Sequence, residues 1–112
     1  MFSSSTSYSH TFLNQIKPGD GEILSNSPVE INLIFNSKVR LIKLNMEKKS
    51  VDGEKIIKKY LQNISKKETF MISSDIHIIE IPNLNSGKYF FKWRGISEDG
   101  HIIKGKSTFE IK

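Results

Sequence analysis

Apolar and polar positions alternate along this chain in short runs rather than at helical spacing. Val29, Ile31, Leu33 and Phe35 fall on every second residue, which puts four apolar side chains on one face of an extended segment. Tyr89, Phe91 and Trp93 repeat the pattern within the segment 88–94 and read as a core stripe. Further apolar segments at 10–16, 39–46, 76–81 and 106–111 complete a set of short strands. Turn formers separate them: Pro18-Gly19-Asp20-Gly21 after the first, Asn36-Ser37-Lys38 between the second and third, and Pro82 with 83–87 ahead of the aromatic stripe.

About seven such strands in a little over 100 residues predict an all-β fold, an immunoglobulin-like β-sandwich. The segment 47–74 is less regular. Ile56, Ile57, Tyr60 and Leu61 have helical spacing with Asp52 as an N-cap, and a long exposed hairpin is the alternative. Composition sharpens the β reading: there are 17 Ile and no Ala, so residues suited to strands replace the best helix former. A length of 112 residues suits one domain. No apolar run approaches the roughly 20 residues that cross a bilayer, so a membrane-spanning helix is excluded.

The first nine residues, 1–9, are Ser-rich and uncharged and read as a flexible leader. Ser7 and Ser9 are small residues at the −3 and −1 positions of a signal-peptidase cut before His10, while the basic and apolar regions of a secretory signal are missing. The leader is therefore the remnant of a signal peptide or an unrelated extension, and 10–112 is the folded domain. A net charge of +5 comes from 17 basic and 12 acidic side chains, with Arg40 and Arg94 the two arginines. Nucleic-acid sites lean on arginine forks and exposed aromatics, so the excess reads as general surface charge, with no nucleic-acid partner. The lysine-rich stretch 43–67 reads as a solvated edge, a docking surface for an acidic partner being the alternative. With no Cys, neither disulfides nor thiolate metal sites arise.

Three histidines are present: His10, His77 and His101. His77 sits within an alternating segment, where a neighbour is expected to satisfy it. Asp99-Gly100-His101 is the most suggestive cluster, because residues two apart on extended backbone project to one side. If the first and last strands pair in parallel, His10 meets Asp99 and His101 at one end of the sandwich. Cleavage after Ser9 adds the amine of His10. Amine nitrogen, two imidazoles and a carboxylate form a donor set that favours Cu(II), with Zn(II) and Ni(II) as weaker competitors.

From His10 the run His-Thr-Phe-Leu-Asn-Gln-Ile-Lys-Pro-Gly-Asp-Gly-Glu-Ile-Leu, and then Ser-Pro-Val-Glu-Ile-Asn-Leu-Ile-Phe, resembles the opening of the CopC family of periplasmic copper-resistance proteins. The second half agrees further, through Ile81-Pro82, Leu84, Ser86-Gly87-Lys88-Tyr89, Trp93-Arg94, Ser97, Asp99-Gly100-His101, Gly105 and Phe109. The resemblance implies a Cu(II) carrier with a cupredoxin- or immunoglobulin-like Greek-key fold, exported to the periplasm. It also implies His10, Asp99 and His101 as metal ligands, and a copper transporter of the inner membrane or another copper protein as partner. Some members add an acidic ligand after the Phe of the second strand. Here Phe35-Asn36-Ser37-Lys38 stands at that place, so water is expected instead. Met46 and Met71 are too few for the Met-rich Cu(I) loop of other members. Arg94 is expected to anchor Asp99 or Glu98. A non-enzymatic carrier is thus the leading expectation. A metal-free immunoglobulin-like interaction module and a copper monooxygenase with a histidine brace are the other two classes.

Overall fold

The computed structural model describes residues 10–49, 72–112 and the backbone of 56–61; the leader 1–9 and the N-cap Asp52 lie outside them. Seven strands are present among the described residues: β1 Leu13–Lys17, β2 Glu22–Leu24, β3 Glu30–Lys49, β4 Ile56–Leu61, β5 Ser74–Glu80, β6 Gly87–Ser97 and β7 Ile102–Ile111. They form one curled sheet in the order β1-β3-β6-β7-β2, with β4 and β5 also paired to β3. The all-β sandwich class expected from the sequence is the one observed.

β3 organises the fold. Its first half pairs antiparallel with β1 and β5, and its second half with β6 and β4. The break expected at Asn36-Ser37-Lys38 is instead a bend inside one 20-residue strand. The β5 register shifts there between Ile34 and Val39, so the polar residues mark a change of partners rather than a turn. A second shift, between Leu41 and Lys43, resets the alternation, so Val39 and Leu41 face inward before it and Leu44 and Met46 after it. Strands on both sides of the bend therefore feed one core.

That core holds Ile31, Leu33 and Phe35 against Tyr89, Phe91 and Trp93. Phe35 meets the Trp93 ring edge-on at 5.1 Å, and Tyr89 stacks on Phe109 at 5.3 Å. Such pairs add about 0.5–1.5 kcal/mol each to the area they bury. Val29 departs from the predicted stripe: it precedes β3 and is 76% exposed. On β5 the inward positions are His77 and Ile79, leaving Ile76 and Ile78 half exposed.

Two further expectations are corrected. The helical reading of Ile56 to Leu61 gives way to the hairpin, because β4 pairs antiparallel with Met46 to Lys49 of β3. Two consecutive Ile and a free strand edge outweigh a four-residue period. The first strand does not pair with the last. β1 runs antiparallel to β3, and the short β2 supplies the parallel partner of β7, with Glu22 opposite Phe109. The Asp20 carboxylate secures this arrangement by accepting from the Thr108 amide at 2.8 Å.

Candidate metal centre

β6 and β7 are joined by a tight turn that carries Asp99 and His101. Gly100 donates its amide to Ser97 O at 2.9 Å, and Ser97 donates its own to His101 O at 2.9 Å. Gly100 has φ +88°, the left-handed conformation that completes a short hairpin loop and that glycine adopts without a side-chain clash. Asp99 and His101 thus converge as expected, but on a turn rather than on extended backbone.

The Asp99 carboxylate is fully engaged. Its Oδ1 accepts from the Ser97 hydroxyl and from the His101 amide at 3.2 Å, while Oδ2 lies 3.2 Å from His101 Nδ1. The Ser97 hydroxyl above all, then the His101 amide, hold this carboxyl below the usual carboxylate range, and the adjacent imidazole adds to the effect. The His101 side chain is 81% exposed and that of Asp99 39%. Oδ2 and Nδ1 stand at a separation close to the about 3 Å between neighbouring ligands on one ion with bonds of about 2.0–2.2 Å. With Nδ1 beside the carboxylate, Nε2 is the other ring nitrogen that could ligate an ion.

His10 lies beside the bend of β3. Asn36 staples its backbone: Nδ2 donates to His10 O at 2.9 Å, and Oδ1 accepts from the Phe12 amide at 2.8 Å. The Asn36 amide in turn donates to Phe12 O at 3.1 Å, and the Thr11 and Ser37 hydroxyls share a hydrogen bond of 2.9 Å. Three positions beyond Asn36, Val39 pairs with Ser97, so the His10 segment and the Asp99 turn flank the same bend. Among the described residues no group of three or more His, Asp or Glu side chains is gathered for an ion. Asp99 and His101 are brought together; His10 is held on the neighbouring strand through its backbone.

Two other expectations resolve differently. His77 is buried, 2% exposed, and its Nε2 lies 2.7 Å from Val39 O and 2.9 Å from Ser74 O. Both partners are carbonyl oxygens, so Nε2 carries the proton and clamps β5 to the bend; as expected, a neighbour satisfies this histidine. Arg94 does not anchor the acidic turn. It is exposed and in register with Lys43 and Lys104, while Ser97 and His101 hold Asp99 instead. Sequence reasoning overlooked the roles of Ser97 and Asn36. A hydroxyl two residues before Asp-Gly was a readable signal for the first, whereas the second acts on backbone atoms that no residue type announces.

A family model described as the CopC domain matches residues 13–112, which spans β1 to β7 and includes Asp99 and His101. The chain belongs to the CopC family. The CopC match begins three residues after His10. A curated relative, the copper transport protein CutJ of Bacillus subtilis, is 26% identical over 99% of this chain, and the chain spans 20% of that protein's length. Among solved structures, CopC from Methylosinus trichosporium is similar with a TM-score of 0.66 and 24% identity, over 92% of this chain and 94% of that one. PcoC, a methionine-rich copper resistance protein from Escherichia coli, has a TM-score of 0.68 and 20% identity over 93% of this chain and 100% of its own. These two likenesses establish the CopC-type fold.

Proposed function

We propose that this CopC-domain protein binds Cu(II) as cargo between His10, Asp99 and His101, and buffers or delivers it in the periplasm without catalysing a reaction. The observation that carries the reading is the Asp99–His101 pair, whose side chains lie 3.2 Å apart on a turn closed by two backbone hydrogen bonds. Family membership and a relative named for copper transport support it. In this reading residues 1–9 are removed, and the freed amine of His10 joins its imidazole as a chelating pair. Two imidazoles, an amine and a carboxylate make a nitrogen-rich set that suits Cu(II) above other divalent ions. With no acidic residue at 36 and the Asn36 amide occupied by backbone, water takes the remaining position. An Asp99 carboxylate bound to the ion would take a position that oxygen chemistry needs open, which favours a carrier over an oxidase. The acceptor in this reading is an inner-membrane copper transporter or another copper protein.

A Cu(II) competition titration on the chain beginning at His10 tests the assignment. Replacing His10 or His101 should weaken binding by about a hundredfold or more, at or beyond the range seen on losing partners of metal ligands. Affinity should fall on acidification, because protons compete for the same imidazole and amine lone pairs. Restoring residues 1–9 should weaken binding by blocking the amine. Tight uptake that survives replacement of both His10 and His101 would refute the site.

A further inference from the structure

β3, β6 and β7 lie side by side, and their register fixes what the outer face of this part of the sheet displays. Leu44, Met46, Phe91 and Trp93 point into the core, so Lys43, Asn45, Lys92, Arg94, Lys104 and Lys106 occupy the alternate, outward positions. The pairings place Lys43 beside Arg94 and Arg94 beside Lys104. In the next rung Asn45 is beside Lys92 and Lys92 beside Lys106. Strands about 4.8 Å apart and alternate residues about 6.8 Å apart confine five cations to a patch roughly 10 Å by 7 Å at the backbone.

Like charges directly opposite one another destabilise a sheet. Carboxylates stand only at the margin: Glu47, buried, accepts from Asn45 Nδ2 at 3.3 Å, and Asp20 shares a neighbouring cleft with Lys92 and Lys106. All five cations are exposed, and none of them is ion-paired among the described residues. The six side chains line a cleft of about 540 Å³, with Trp93 and Gly105 on its wall. A cleft lined by five cations and no carboxylate is a binding surface for a polyanion.

We propose that this cleft docks an acidic, extended polypeptide segment of a partner protein, with carboxylates on every second residue reaching the Lys–Arg–Lys and Asn–Lys–Lys rungs. The alternation of an extended segment, about 6.8 Å, equals the spacing of the two rungs. Asn45, whose Nδ2 donates to Glu47 at 3.3 Å, keeps its Oδ1 as an acceptor for a peptide amide. A bilayer offers a flat array of phosphates that touches only the lysine tips and leaves the trough unfilled. A single-stranded nucleic acid needs exposed rings for stacking, and Trp93 is 6% exposed. The inference does not depend on copper binding, since none of the six residues belongs to the His10, Asp99 and His101 set.

The test uses the metal-free chain and a fluorescent peptide of alternating Glu and Ser, read by polarisation and by the emission of Trp93, the single tryptophan. Saturable binding is expected, weakened about tenfold or more between about 20 mM and about 200 mM salt. The variant Lys43→Gln/Arg94→Gln/Lys104→Gln should lose binding by about tenfold or more, whereas Lys43→Arg/Lys104→Arg, which keeps the charge, should stay within about twofold. Circular dichroism and Cu(II) titration should be unchanged in both variants, which separates this outcome from misfolding and from failure of the copper site. Absence of saturable peptide binding, or equal binding by the neutralised variant, overturns the proposal. So does capture by phosphatidylglycerol vesicles or an oligonucleotide that the peptide does not compete away.

Discussion

Replacing Asn36 with alanine removes both arms of the staple on the His10 segment, the 2.9 Å bond to His10 O and the 2.8 Å bond from the Phe12 amide. Each such bond contributes about 0.5–1.5 kcal/mol net, and at an exposed site the low end applies, so the pair supplies about 1 kcal/mol toward ordering residues 10–12. If His10 is a copper ligand, that order must be restored on binding. Since 1.4 kcal/mol is a factor of ten, Cu(II) affinity should fall about fivefold. The sheet itself should be spared, because β1 keeps its pairing with β3 from Leu13 to Lys17; the metal-free melting temperature should move by about 2 °C or less. The assay is a chelator-competition titration of the wild type, Asn36→Ala, His10→Ala and the double variant. A positioning role predicts that Asn36→Ala has no further effect once His10 is alanine. A fivefold loss of the same size in the His10→Ala background, or no loss at all in the wild type, would refute the reasoning.

Three other outcomes follow from the packing and the turn. Gly105→Ala would set a Cβ 2.6–2.7 Å from the Trp93 indole, so thermal unfolding should show a loss of about 1–3 kcal/mol together with altered Trp93 emission. Ser97→Ala removes the main cause of the low Asp99 pKa, so a carboxyl NMR titration of the metal-free chain should find it raised toward the ordinary value of 3.8. The sign is fixed: a depressed carboxyl contributes stability present above its ordinary value and lost as pH falls through its folded value, so Ser97→Ala should make the turn less sensitive to acid. His77→Ala leaves Val39 O and Ser74 O without their buried donor and should cost about 2–3 kcal/mol in denaturant unfolding, with Cu(II) affinity unchanged.

The inward stripes were legible because a period of two is written directly in residue type, as at Ile31, Leu33 and Phe35 or at Tyr89, Phe91 and Trp93. Val29 continued the period but fell outside it in space, since periodicity does not tell where pairing begins. At Asn36 to Lys38 polarity signalled exposure, and exposure is common to a loop and to a strand changing partners. Ile56 to Leu61 fits both a helical face and a strand. The free edge of β3 that decides between them is a tertiary fact. β2, three residues long, is too short to carry a period. At the candidate site, Asp-Gly-His was readable as a turn, and it is one, with the Asp99 and His101 side chains meeting across it. The link from His10 to Asn36 was not readable, because it joins backbone to a side chain 26 residues away.

The uninterrupted course of β3 ties its early partners, β1 and β5, and its later ones, β6 and β4, into one cooperative unit. A strand that belongs to both cannot be released from one and kept in the other, so hydrogen exchange should find no stable half-molecule. It also imposes an order on biosynthesis. The ribosome completes β3 at Lys49, yet β6, its longest partner, starts only at Gly87. Until then the edge of β3 that β6 will cover, from Val39 to Lys49, stands unmatched, the kind of edge that recruits other chains. Holdase chaperones would meet their greatest demand over that interval of synthesis.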